Sequence, residues 1–332
     1  MSTRRGNDAD VQRSALVVEE AFQEYFRCHE IDGDWKPFQK IDMSGDEFLA
    51  FKVKCEAEDL SLYAAPGKTI ARTMDYVVNQ GAMFLRNRTH FHLNLTGHVV
   101  ELLKAKIRGM ADMEGLEPLR SLVGQIRTRY SAKVKIETEG VHRNRNLEHV
   151  SHRTADARIR LETLEGVLSE IIIEITNPAK RALCPDMGRE YVKRMLREDL
   201  RCRSCTMYFA INLDDETKLA SYTIMVGWWT IRSRPRDDDV PRTHARMHTK
   251  FLRNETVFRD SDGQMVPGAV RLLPQNILGR YLVGRAFRRR RRARLRALNT
   301  RAITIDHQEL FDMLEGVESW EGPLRYHVST EE

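Results

Sequence analysis

The stretch DARIRLETLEGVLSEIIIEIT, Asp156 to Thr176, decides the fold. Apolar and charged residues alternate in ARIRLE, and LSEIIIEI keeps a period near two with Glu170 and Glu174 on one side, as in a half-buried strand. Glu165 and Gly166 stand between the two runs, so the stretch reads as an antiparallel hairpin. Pairing residues whose numbers sum to 332 sets Ile159 opposite Ile173 and Leu161 opposite Ile171, leaving one apolar face. The same register places Arg158 opposite Glu174, Glu162 opposite Glu170 and Asp156 opposite Thr176 on the other face.

Working outward, AKVKIETEG at 132–140 has the same period. Downstream, DMGREYVKRMLRED at 186–199 reads as a crossing helix. A second hairpin follows, SCTMYFAINL at 204–213 and KLASYTIMVGWWTIRS at 218–233, turning at Asp214, Asp215 and Glu216. Trp228 and Trp229 are adjacent and in a strand face opposite sides, one serving the core and the other a second layer or a partner. The segment SRPRDDDVPR at 233–242 is the best linker candidate. Toward the N-terminus, residues 9–30 read as a helix, DEFLAFKVKCEAEDLSLY at 46–63 as strands, and 68–129 as a helical block. The expected fold is α+β. A mostly helical N-terminal region spans 1–130, an antiparallel sheet of two hairpins with a crossing helix spans 131–235, and 236–332 carries a basic helix and an acidic C-terminal tail.

Charge is distributed unevenly. The 332 residues hold 54 Lys plus Arg against 48 Asp plus Glu, a net +6. From Gly263 to Ile305 there are eleven arginines and no acid, whereas Asp306 to Glu332 carries eight acids and one Arg. In the basic segment Ile277, Leu278, Tyr281, Leu282, Phe287, Leu295 and Leu298 recur at helical spacing, which predicts a helix over about 275–298. Five consecutive arginines, Arg288 to Arg292, turn around most of a helix and cannot all face a core. Guanidinium forks suit phosphate, so Arg280, Arg285, Arg288, Arg289, Arg290, Arg291, Arg292, Arg294 and Arg296 are the expected nucleic-acid contacts, with Tyr281 or Phe287 as a stacking surface. The acidic tail is the competing partner, within the chain or from a neighbouring subunit.

With 41 % hydrophobic residues the chain can bury a sizeable core, and no run approaches the roughly 20 apolar residues of a membrane helix. The opening MSTRRGNDAD lacks a secretory apolar stretch, and five irregularly spaced cysteines form no disulfide framework, so an intracellular location, cytoplasmic or nuclear, is expected. Cys202 and Cys205, with Cys184 and upstream His149 and His152, offer a weak zinc pattern against which buried thiols are preferred. His90 and His92 share a face in an extended segment, with His98 nearby, but ordinary histidines at a helix boundary explain them better. APGKT at 65–69 has Leu62 where a phosphate-cradling loop needs Gly, and no cofactor is expected.

The hairpin's Asp156, Glu170 and Glu174 suit a hard divalent cation. TAD at 154–156, two strands and IIIEIT at 171–176 ahead of a helix resemble the core of the PD-(D/E)xK metal-dependent nucleases, including viral cap-snatching endonucleases. That resemblance implies metal-dependent cleavage by Asp156, Glu170 and Glu174. The chain departs from the family's pattern at Thr176, where a catalytic Lys is expected and Lys180 is the nearest substitute, and at Ala155, which replaces a proline. The leading expectation is therefore a non-enzymatic nucleic-acid-binding component of a viral or organellar ribonucleoprotein assembly. RNA is favoured because no duplex-reading module is recognisable. The nuclease is second, and a self-associating scaffold joined through the Arg helix and an acidic tail is third.

Overall fold

The computed structural model describes residues 4–27, 38–57, 72–77, 81–87, 90–113, 116, 119–123, 126–137, 150–162, 168–178, 181, 188–189, 192, 205–214, 217–234, 242–279 and 301–321. The fold is α+β, and the chain divides into two units, Met1–His90 with Lys133–Thr154, and Phe91–Ala132 with Ala155–Glu332.

The first unit contains α1 (Arg4–Arg27), β1 (Phe38–Asp42), α2 (Gly45–Ala57), β2 (Arg72–Val77) and β3 (Ala82–Asn87). Strand β3 pairs antiparallel with both β1 and β2, and Tyr76 of β2 pairs with His152 at the start of β5 (Val150–Glu162). Ala21, Met43, Phe48, Phe51, Tyr76 and Met83 form its core, where the rings of Phe48 and Tyr76 stack 4.7 Å apart. The expected strands at 46–63 are corrected here, because Gly45–Ala57 is helical. The motif Ser44-x-x-Glu47 closes a capping box, with Ser44 Oγ accepting from the Glu47 N–H at 3.2 Å and Glu47 Oε2 accepting from the Ser44 N–H at 2.6 Å. Phe48 and Phe51, three apart, then share a buried face while Val53 stays 64 % exposed. The expected helical block at 68–129 is also corrected, since it opens on the β2–β3 hairpin, where Gly81 takes a left-handed φ of 53°.

Burial works to raise the Glu47 carboxyl, but hydrogen bonds from the Ser44 N–H and the Ser14 and Ser44 hydroxyls, with the Arg13 charge, overcome it and lower its pKa. A lowered folded pKa gives stability that is complete above the unfolded value and is lost as pH falls through the folded one. Ser44→Ala is therefore expected to cost about 1 kcal/mol at neutral pH. The difference between the proteins should shrink in acid. A urea midpoint at neutral pH unchanged by the substitution would rule out the cap.

In the second unit α3 (His90–Met110), α4 (Arg120–Val123) and β4 (Ile126–Glu137) precede a sheet of strand order β5, β6 (Leu168–Thr176), β7 (Cys205–Leu213), β8 (Ala220–Arg234) and β9 (Arg242–Arg259), and β4 also pairs with β5. Strands β6 and β7 run parallel and the other pairs for which a register is defined in this order are antiparallel, so the sheet is mixed rather than antiparallel as expected. The crossing segment between the hairpins brings the chain back in the same direction, as parallel neighbours require. Of the expected crossing helix, Gly188, Arg189 and Val192 are described and helical. A Cβ on Gly188 would lie 2.8 Å from the Tyr208 ring, so the segment packs against the strand face that carries Tyr208.

The β5–β6 register is Ala157↔Ile173, Ile159↔Ile171 and Leu161↔Ser169, two residues away from the expected one. A slip of two preserves both faces, whereas a slip of one would expose the isoleucines. The proposed linker is corrected as well: β8 and β9 pair as far as Arg234↔Arg242, so 235–241 closes a hairpin. Two short strands, β10 (Ala269–Leu272) and β11 (Ile303–Asp306), pair antiparallel, and α5 (His307–Glu321) follows. The core joins Leu95, Val99, Leu103 and Ile107 of α3 to Leu310, Leu314 and Val317 of α5, and both to the isoleucines of β5 and β6.

The first half of the expected acidic tail is thus a core helix rather than a displaceable arm. Its own signals were in the sequence: Glu309 Oε2 accepts from the Asp306 N–H at 2.9 Å, a second capping arrangement, and Leu310, Leu314 and Val317 repeat at helical spacing. Among the described residues no helix is long and apolar enough to cross a membrane.

Candidate nucleic-acid interface

The nine arginines expected to hold phosphate, from Arg280 to Arg296, lie outside the described residues, as does most of the expected helix. The chain on either side of them is fixed. Residues 274–279 are helical and end at Gly279, whose φ of 76° interrupts the continuous helix expected over 275–298. A Cβ at Gly279 would lie 2.8 Å from Cys205 Cβ, so glycine permits this close approach. Ser169 Oγ donates to the Ile277 carbonyl, and Cys205 Sγ donates to the Asn276 carbonyl at 3.5 Å. On the far side Arg301 is exposed and the chain enters β11, whose Thr304 pairs with the equally exposed Arg271. The basic segment therefore leaves from and returns to anchored backbone.

Three of the acids that follow the segment have other partners. Glu309 pairs with Lys106 of α3 at 2.5 Å, while Glu315 and Glu318 both pair with Arg259 at 3.2 and 2.7 Å. Arg259 is 4 % exposed and also donates to the Lys218 carbonyl at 2.6 Å, so two carboxylates compensate a buried cation. Beside this cluster His307 Nδ1 lies 2.7 Å from the Val266 carbonyl and Nε2 lies 3.0 Å from the Tyr222 hydroxyl. A carbonyl only accepts, so Nδ1 carries a proton, and Nε2 shares a hydrogen bond with the Tyr222 hydroxyl, whose pKa is pushed up by burial. A cavity of about 900 Å³ between α3 and α5 is lined by Glu101, Glu309 and Asp312 together with Leu102 and Val317, a carboxylate lining that repels phosphate.

The hairpin acids separate into two groups. Asp156 is fully buried, accepts from the Ile175 N–H at 2.7 Å and lies 3.0 Å from His92 Nε2. It thereby continues the β5–β6 ladder where backbone pairing ends at Ala157↔Ile173, beside fully buried Glu174. Glu170 is four residues back along β6, about 13 Å at the rise of a strand. It accepts two bonds from Arg158 at 2.9 and 2.8 Å and is ion-paired with Arg160 Nε at 2.9 Å. The structure sets Asp156 against His92 and the Ile175 N–H, and gives Glu170 to two guanidinium groups. Among the described residues no three His, Cys, Asp or Glu side chains come together as a metal-binding set.

His90 and His92 lie in the first turn of α3 rather than in an extended segment, which ends their shared face. Cys184 and Cys202 lie outside the described residues, and Cys205 is a buried free thiol.

One feature is not visible in local sequence. Trp228 of β8 faces His248 of β9, their rings 5.6 Å apart and within 14° of parallel. Trp228 rests against the edge of the core, as one of the two adjacent tryptophans was expected to, while Trp229 is opposite Met247. The local signal is the WW pair itself, because the histidine that completes the stack is twenty residues away. No protein-family model, no curated protein and no solved structure matches this chain.

Proposed function

We propose that the protein is a non-enzymatic, intracellular nucleic-acid-binding component of a ribonucleoprotein assembly, of the kind viruses and organelles build, with RNA as its favoured ligand. The observation that carries this reading is the run of eleven arginines without an acid from Gly263 to Ile305. Arg280, Arg285, Arg288 to Arg292, Arg294 and Arg296 hold the phosphates in this reading, each releasing counterions as it neutralises one. It is supported by the engagement of Glu309, Glu315 and Glu318 with Lys106 and Arg259, which occupies three of the downstream carboxylates that could otherwise mask the arginines.

The test is binding of a labelled single-stranded RNA across a salt series. A log-log slope of roughly −3 to −6 is expected, as for about 4 to 8 neutralised phosphates on a single strand. Absence of binding at low salt, or binding insensitive to salt, overturns the proposal. Cleavage of the same RNA in the presence of Mn²⁺, abolished by Glu174→Ala, would replace it with the nuclease reading.

A further inference from the structure

Strands β8 and β9 continue as a two-stranded ribbon beyond the part of the sheet that pairs with β7, which ends at Cys205↔Trp228. Neither ribbon strand holds an acid from Thr217 to Arg234 or from Arg242 to Asn254. From the last position paired with β7 outward the ribbon pairs Trp228↔His248, Thr230↔Arg246, Arg232↔His244 and Arg234↔Arg242, and Lys250 is opposite Val226. By strand alternation Arg246, His248 and Lys250 share a face, and Arg246 and Lys250 are exposed on either side of half-buried His248. The loop that closes the ribbon carries Asp237, Asp238 and Asp239 and lies outside the described residues.

Basic residues along β9, the last strand in the sheet order, also discourage edge-to-edge pairing. That role needs charge and no ring. The half-buried Trp228 and His248 rings form instead a stacked aromatic pair with cations on the same face of the ribbon, the kind of surface on which a base can add to the stack while its phosphate is held alongside. We infer that the Trp228–His248 pair, flanked by Arg246 and Lys250, is a base-stacking site for single-stranded nucleic acid, distinct from the arginine segment. The inference rests on the function proposed above and adds to it a site that recognises bases.

The experiment compares binding of a labelled single-stranded RNA and of an abasic strand of equal length to the full chain and to His248→Ala, His248→Phe and Lys250→Gln. His248→Ala should weaken binding of the base-bearing strand about 5-fold or more and leave the salt slope and the abasic affinity unchanged. His248→Phe, which retains a ring for stacking, should restore most of the loss, and Lys250→Gln should reduce the slope by about 0.7. Equal losses for the two strands, or no rescue by Phe, would overturn the site while leaving the arginine reading intact. If the unmodified chain binds neither strand at any salt, both fall together. Thermal unfolding of each variant separates lost contact from lost fold.

Discussion

With Arg288 to Arg292 replaced by Gln, affinity for single-stranded RNA is expected to fall by up to roughly 3,000-fold at about 0.1 M salt. Each phosphate neutralised on a single strand adds about 0.7 to the salt slope, so five account for about 3.5. The counterion contribution vanishes near about 1 M salt, where the two proteins should converge, and a tenfold dilution from there gives the stated loss. Glutamine keeps a long polar side chain, so the change isolates charge from bulk. The salt slope measured for the variant is the readout. A variant that retains the full slope would place phosphate neutralisation elsewhere, with Arg246, Lys250 and Arg253 of β9 the exposed cations to examine next.

Leu314→Ala should lower the free energy of unfolding by about 2 to 5 kcal/mol. Leu314 is fully buried in α5 and belongs to the core that α5 shares with α3 and the sheet, so its truncation leaves a cavity whose walls are helices and strands from distant parts of the chain. Chemical denaturation, followed by a probe of the second unit, measures the loss. A change under about 1 kcal/mol would mean that α5 lies on the surface. For the same reason, removal of 306–332 as a way of uncovering the basic segment would report unfolding. It takes away a core helix, both carboxylates that compensate Arg259 and the His307 partner of Tyr222.

Much of the fold was legible where structure depends on neighbouring residues. The β5–β6 hairpin follows from a period near two and the β7–β8 hairpin from two apolar runs around the turn at Asp214, and the adjacent tryptophans of β8 take opposite faces as a strand demands. Helix α2 mimics a strand because FKVKC alternates apolar and basic residues, although the Ser44-x-x-Glu47 box just upstream is the stronger signal. Helix α5 resembles a solvated acidic tail because its acids recur every third residue, although Leu310, Leu314 and Val317 form an apolar stripe between them. The candidate site was legible as composition alone. Asp156, Glu170 and Glu174 look equivalent on a register drawn from the pattern, but the observed pairing gives Glu170 to Arg158 and Arg160 and sets Asp156 against the Ile175 N–H and His92.

The strand period of two and the helix period of 3.6 belong to the backbone, so the residue pattern alone established an α+β chain, the inward faces of its hairpins and a 43-residue stretch that is basic without counter-charge. A period of two also makes registers that differ by two residues equivalent in pattern, and only loop length and packing separate them. The partners that depend on that choice, or that meet from far along the chain, were therefore decided in three dimensions: Glu170 with two arginines, Arg259 with two acids of α5, and Trp228 with His248.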